Sequence, residues 1–266
     1  MKIASWNVNG IRAIERKGEL DRFLKAYKPD ILLLQETKAK SDQLSAELTE
    51  HPEYEQFYHS AEKPGYAGTA IWIKKELLIP GSKNSQNPGL DFQTGMPNCN
   101  DDEGRISKID IGAWSVLGIY FPNGGKSPEA WKGKLEFYEQ FLSYVNILRS
   151  EGKKVIWAGD VNCAHQEIDL ARPRENDGKI GFHPRERAWM NKVVDNGWVD
   201  TFRALHGDEI VYSWWDVVTR SRERNVGWRI DYFFIDKALL SHVKNIQYLT
   251  SQMGSDHCPV MIEIQS

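Results

Sequence analysis

The sequence predicts a mixed α/β domain, on three observations. Short runs rich in β-branched and aromatic residues alternate with stretches of helical period, the runs outnumber the stretches about two to one, and no low-complexity segment or linker divides the 266 residues. Strands are expected at residues 2–6, where Ile3, Ala4, Ser5 and Trp6 set the pattern, and at 31–35, which opens on four apolar residues. Further strands are expected at 54–59, 69–74, 106–111, 115–121, 155–158, 211–214, 230–235 and 258–264. Helices are expected at 15–27, 41–48, 128–149 and 184–196; the third opens with Ser127 as N-cap and Pro128 at its first position, and the fourth stops before Gly197. Residues 80–104, rich in Gly, Pro, Asn and Asp without a period, form a long loop whose role stays open. One domain spanning 1–266 follows.

Composition excludes several classes. With 34 Lys+Arg against 37 Asp+Glu the net charge is −3, so no basic surplus advertises nucleic acid. An apolar share of 41% beside 27% charged residues is ordinary for a globular domain and excludes wholesale disorder. The apolar run at 31–34 is far short of the ~20 residues that span a bilayer. Met1-Lys2 leads straight into an alternating strand, which leaves no room for a signal-peptide core. Cys99, Cys163 and Cys258 form no CxxC pair and cannot all be bridged, which fits a reducing compartment. The expectation is an intracellular protein without a membrane partner.

Polar residues fall at the ends of the strands. Asn7 and Asn9, Glu36, Tyr120 and Asn123, Asp160 and Asn162, and Ser255, Asp256 and His257 occupy five short loops, each beside an apolar run. Singly, each loop has a plainer use, since Asn beside Gly suits left-handed or Asx turns and Asp160 could cap the next segment. Five such turns had no structural need to supply so many acids, amides and a histidine between them. The expectation is one polar site gathered at one end of the sheets.

Glu36, Asp256 and the asparagine oxygens are hard donors, and no cysteine pair or paired-histidine motif is present, which favours Mg²⁺, or Mn²⁺ in its place, over zinc. A metal held by one or two carboxylates keeps positions open for phosphate oxygens. Phosphodiester hydrolysis needs a group to activate water, donors for the non-bridging oxygens and help for the leaving alkoxide; Asp160, Asn162, His257 and the metal are candidates for those roles.

At this point the sequence resembles the exonuclease III family of apurinic/apyrimidinic (AP) endonucleases, within the deoxyribonuclease I-like superfamily. The motifs are SWNVNGIRA from Ser5, PDILLLQETK from Pro29, GYAGTAI from Gly65, EGR from Glu103, IYFPNG from Ile119, KLEFY from Lys134, GDVNCAHQEIDL from Gly159, RNVGWRIDYFF from Arg224 and GSDHCPV from Gly254. The resemblance implies a four-layered sandwich of two mixed β-sheets flanked by helices. It implies incision of duplex DNA 5′ to an abasic site, leaving a 3′-hydroxyl and a 5′-deoxyribose phosphate, with 3′→5′ exonuclease and 3′-end-cleaning activities.

Carried to matching positions, the resemblance makes Glu36 the principal metal ligand, with Asn7, Asp256, Asp160 and Asn162 around the ion. Asp160 activates the water, Asn162 positions it, His257 donates to the scissile phosphate and Asp231 orients His257; Tyr120 and Asn123 hydrogen-bond the phosphate. Tyr120 as a phenolate is the rival base. Trp214, Trp228 and Ile230 match an apolar pocket for the flipped-out abasic sugar. DNA contacts are expected from Arg12, Gly65, Tyr66, Asn123, Lys126, Arg172, Asn176, Arg220 and Arg222, with Arg16, Lys17, Arg174, Arg224 and Arg229 in the same basic clusters. Lys126 stands where some members carry an inserting arginine, Val218 and Thr219 replace bulkier wedges, and Asn9 replaces an aspartate. A monomer acting on double-stranded DNA with abasic or 3′-blocked lesions, without an obligate protein partner, in a prokaryotic cytoplasm at the nucleoid, is the resulting expectation. Two readings stand beside it: a same-fold phosphodiesterase or phosphatase acting on lipid or inositol phosphates, and a catalytically silent nucleic-acid binder. A metal-free triad through Ser255 leaves Glu36 unexplained and lacks a GxSxG elbow.

Overall fold

The computed structural model describes residues 1–78, 90–97, 99 and 101–265. The chain opens with β1 (Lys2–Asn7), α1 (Ile11–Arg16), α2 (Glu19–Tyr27), β2 (Ile31–Gln35), α3 (Ala46–Thr49), β3 (Tyr54–His59) and β4 (Thr69–Lys74). It continues through β5 (Asp91–Thr94), β6 (Ile106–Ile111), β7 (Trp114–Tyr120), α4 (Pro128–Ser150), β8 (Lys154–Asp160), α5 (Pro173–Asn176) and α6 (Pro184–Asp195). It closes with β9 (Trp198–Asp200), α7 (Thr201–His206), β10 (Asp231–Asp236), β11 (Val243–Tyr248) and β12 (Val260–Ile264).

Two mixed six-stranded sheets result, ordered β11-β12-β1-β2-β4-β3 and β5-β6-β7-β8-β10-β9. In each, one central pair runs parallel, β1 with β2 and β7 with β8. The period-2 pattern splits every central strand between two cores. Ile3, Ile31, Leu33 and Ile71 of the first sheet meet Ile109, Val116, Ile156 and Phe233 of the second in one shared buried layer. The opposite face of the first sheet, with Trp6, Leu32, Leu34 and Trp72, packs on Ile11, Ile14 and Phe23 of α1 and α2. The opposite face of the second, with Leu117, Trp157 and Phe234, packs on Phe141 and Val145 of α4 and Trp189 of α6. The order helix, sheet, sheet, helix is the expected four-layered sandwich. Among the described residues no helix is long and apolar enough to cross a membrane.

The local expectations needed revision in places. The helix expected at 15–27 is broken: Gly18, in the left-handed region at φ 67°, ends α1 and starts α2 at an angle. The helix expected at 41–48 is a 3-10 turn at Ser41–Gln43 followed by the single turn α3. No strand forms at 211–214; there Ser213 N donates to Trp228 O, Cys258 N donates to Ser213 O, and Trp214 makes only isolated bridges. The short strands β5, β9 and β11 and the helices α5 and α7 were not expected. Part of the loop expected at 80–104 lies outside the described residues, and its remainder carries β5.

Candidate active site

Topology gathers the polar loops. Parallel pairing puts the C-terminal ends of β1 and β2 together, as it does those of β7 and β8. Antiparallel β10 begins at the same end, where Asp231 pairs with Asp160, and β12 begins beside β1, just after His257. Asn7 links the two sheets, its Nδ2 donating to Glu36 Oε1 and to Asp160 Oδ2, both at 2.9 Å. The five loops therefore form one site, as expected.

Backbone conformation aims these side chains. Glu36 (φ 52°), directly after β2, and Asn162 (φ 55°), two residues after β8, both turn through the left-handed region. At Gly159, a Cβ would lie 1.8 Å from the carbonyl oxygen of Ile119, so only glycine lets β8 pass β7 just before Asp160.

Asp160 is buried, and its Oδ1 accepts from the Asn162 amide at 2.8 Å. Burial pushes its carboxyl up; His257 opposes the rise, but Asp231 and Glu36 add to it. The His257 Nδ1 lies 2.8 Å from Asp231 Oδ2 and its Nε2 3.8 Å from Asp160 Oδ2. Burial alone would pull the imidazole down, yet Asp231 and Asp160 outweigh it and push its pKa up, which favours the protonated ring. Glu36 moves the other way: burial opposes its charge, but Asn7 and Lys38, whose Nζ is 2.6 Å from Oε2, hold it below the usual carboxylate range. Tyr120 is raised well above its ordinary value by burial and by the charges of Glu36 and Asp160, which keeps it a neutral phenol.

Among the described residues, Glu36, Asp160 and His257 form the group of acids and histidines whose ligand atoms lie within 4.8 Å of one another and could hold a metal. Two carboxylates brought together against burial, with Asp231 behind them, are the negative surplus a cation relieves. The other expected ligands are turned elsewhere. Asn7 Oδ1 accepts from the Asn9 amide. Asp256 is engaged by Asn9 Nδ2 at 2.9 Å, Ser255 Oγ at 3.1 Å and Trp214 Nε1 at 3.1 Å. Asn162 Oδ1 accepts from Asn123 Nδ2 at 3.1 Å.

The aromatic residues expected to form an apolar pocket lie together. Trp214 and Trp228, half-buried, pack against the cluster of Ala164, Leu170, Phe182 and Ile230, and Trp214 bridges to both Trp228 and His257. Around this centre Arg12, Gly65, Asn123, Lys126, Arg172 and Arg220 are exposed. Lys126 Nζ lies 4.2 Å above the ring of Tyr66, and Asn176 Nδ2 donates to Arg172 O. The arginine cluster divides, however. Arg229 is fully buried between Asp169 and Asp200, at 2.8 and 2.7 Å, and is not a phosphate contact. Arg222 lies over Trp215 and donates to the carbonyls of Thr250, Gln252 and Ser255, which commits its guanidinium to bracing the loop.

Two participants went unassigned from sequence. Arg105, in the EGR motif, donates to Tyr120 O at 3.0 Å with its guanidinium 4.9 Å from the Tyr120 ring centre. Ser213 Oγ accepts from the amides of Ile230 and Asp231. The motif was the available signal for Arg105; Ser213 offered none.

A buried acid beside an imidazolium, a cluster of carboxylates and convergent amide donors define a hydrolase of phosphate esters. The chain belongs to the Endonuclease/Exonuclease/phosphatase family, whose sequence profile matches residues 4–257. It is 38% identical over 265 residues to an exodeoxyribonuclease of Bacillus subtilis (strain 168), covering 99% of each chain. It is 36% identical over 265 residues to the DNA repair nuclease APEX1 of Danio rerio, covering 98% of this chain and 81% of that one. The crystal structure of the AP endonuclease LMAP from Leishmania major superposes with a TM-score of 0.87 at 28% identity, covering 100% of this chain and 87% of that one.

Proposed function

We propose that this chain is a DNA-repair AP endonuclease. It hydrolyses the phosphodiester 5′ to an abasic site in duplex DNA, leaving a 3′-hydroxyl and a 5′-deoxyribose phosphate, and also removes nucleotides and blocking groups from 3′ ends. The observation that carries the reading is the apolar cluster of Trp214, Trp228 and Ile230 built against His257. A sugar without its base fits an apolar recess, and flipping it out breaks no base pair. The nuclease relatives support a DNA substrate.

Glu36 and Asp160 would hold Mg²⁺, with Mn²⁺ as substitute; the ion supplies charge that neutralises phosphate oxygens and the leaving alkoxide. Asp160, its Oδ1 held by the Asn162 amide at 2.8 Å, takes the proton of the attacking water. Asn162 orients that water. The imidazolium of His257, held by Asp231, donates to a non-bridging oxygen where charge grows. Tyr120, whose hydroxyl burial pushes up, is assigned as a donor to the phosphate together with Asn123. Removal of Trp228 tests the recess: Trp228→Ala should lower the ratio of abasic to intact-duplex cleavage by about tenfold, on the scale of lost pocket contacts. An unchanged ratio in competition assays would remove the lesion pocket from the account.

A further inference from the structure

The KLEFY motif contributes no group that touches the reacting phosphate, yet it buries a lysine completely. Lys134, on α4, has no exposed side-chain surface, and its Nζ donates to the carbonyls of Asn162 at 2.9 Å and Asn123 at 3.2 Å. Its counter-charge is Glu186 of α6, equally buried, with Oε1 at 2.5 Å. The other oxygen of Glu186 accepts from the amides of Gly181 and His183, so the acid is itself fixed. One ammonium thus donates to two separate loops and is ion-paired to a third segment.

Burying an ion pair costs several kcal/mol per ion, and apolar replacements of similar volume are often as stable. Stability alone therefore gives no reason for a charge at this place. What the charge does is join the two loops that bear the phosphate-facing amides. Asn162 sits in a left-handed turn at φ 55°, and its Oδ1 accepts from Asn123 Nδ2 at 3.1 Å. Both backbone carbonyls of that amide pair point at the same ammonium.

We infer that Lys134, charge-balanced by Glu186, is a positioning residue that fixes Asn162 and Asn123 against each other for phosphodiester cleavage. The inference rests on the roles assigned to those two asparagines in the proposed function. A misplacement of about 1 Å at a reacting centre can cost on the order of 10²-fold in rate. Loss of Lys134 should appear in kcat and leave KM and duplex affinity within about threefold.

The test uses Lys134→Met and the double variant Lys134→Met/Glu186→Gln, which removes the unpaired buried charge while keeping an oxygen for the Gly181 and His183 amides. The double variant should recover thermal stability relative to the single one, yet keep a single-turnover incision rate about 10²-fold below the parent. Its Asn162 and Asn123 side-chain amide signals in ¹⁵N spectra should shift. If the double variant recovers rate and stability together, Lys134 is structural only and the inference is overturned. Unmoved asparagine amide signals overturn it as well, whatever the substrate. A parent enzyme that fails to incise abasic DNA overturns the proposed function instead, and the spectra still judge the lysine.

Discussion

Asp160 differs from the other carboxylates of the site in the sign of its shift. Burial opposes the charge of both Glu36 and Asp256, but Asn7 and Lys38 hold the first below its usual range and His257, Asn9 and Trp214 hold the second below, whereas burial and two neighbouring acids raise Asp160 despite His257. Asp160 is the base of the proposed reaction, and Asp160→Asn should lower the incision rate by about 10²-fold or more with folding retained; near-parental turnover in a single-turnover assay would refute the role. The reacting side chains were legible in the sequence because acids, amides and a histidine at strand ends declare their chemistry. The supporting ones were not. Lys134, Arg222 and Arg229 carry charges that a sequence reading assigns to the surface, and only tertiary packing reveals that each is spent on buried carbonyls or carboxylates.

At the scale of elements, the central strands were legible to within one or two residues because their apolar runs are buried on both faces. The breaks were harder. Gly18 interrupts a helical period that otherwise continues, and β9 and β11 are short or polar edge strands with little pattern of their own. The segment at 211–214 has strand composition but spends its hydrogen bonds bracing the loops that carry Trp228 and His257. Beneath them, Arg229 joins Asp169, before α5, to Asp200, the N-cap of α7, and Arg203 adds a second bond to Asp169. Burial alone would raise Asp169, but the two arginines outweigh it and hold it below the usual range. Its contribution is therefore whole above the unfolded value of ~3.9 and disappears as pH falls through the lower folded value. Asp169→Asn should cost about 3–5 kcal/mol at pH 7, the range for breaking a buried pair. In urea denaturation that gap should narrow as the pH drops below about 4; a gap constant down to pH 2 would contradict the assignment.

In the proposed function, a net charge of −3 is reconciled with DNA by local exposed cations, Arg12, Lys126, Arg172 and Arg220. The layer order itself was carried by the family resemblance, since periodicity gives strands and helices but not which sheet a strand joins. Binding should weaken steeply with salt. Arg220→Ala should reduce the slope of log affinity against log salt by about 1; Arg222→Ala should leave that slope unchanged and lower stability, since its guanidinium binds carbonyls. Equal slope changes would mean the loop opens on DNA and frees Arg222. The central claim, metal-assisted incision at an abasic site by the cluster at the strand ends, is tested most directly on a 5′-labelled duplex bearing one tetrahydrofuran abasic analogue. Incubated with Mg²⁺, the parent enzyme should cut on the 5′ side of the analogue and make no internal cut at the matching position of an intact duplex, and EDTA or Glu36→Ala should abolish the product. Cutting that persists in EDTA, or no cutting in Mg²⁺ by a folded enzyme, would contradict the account.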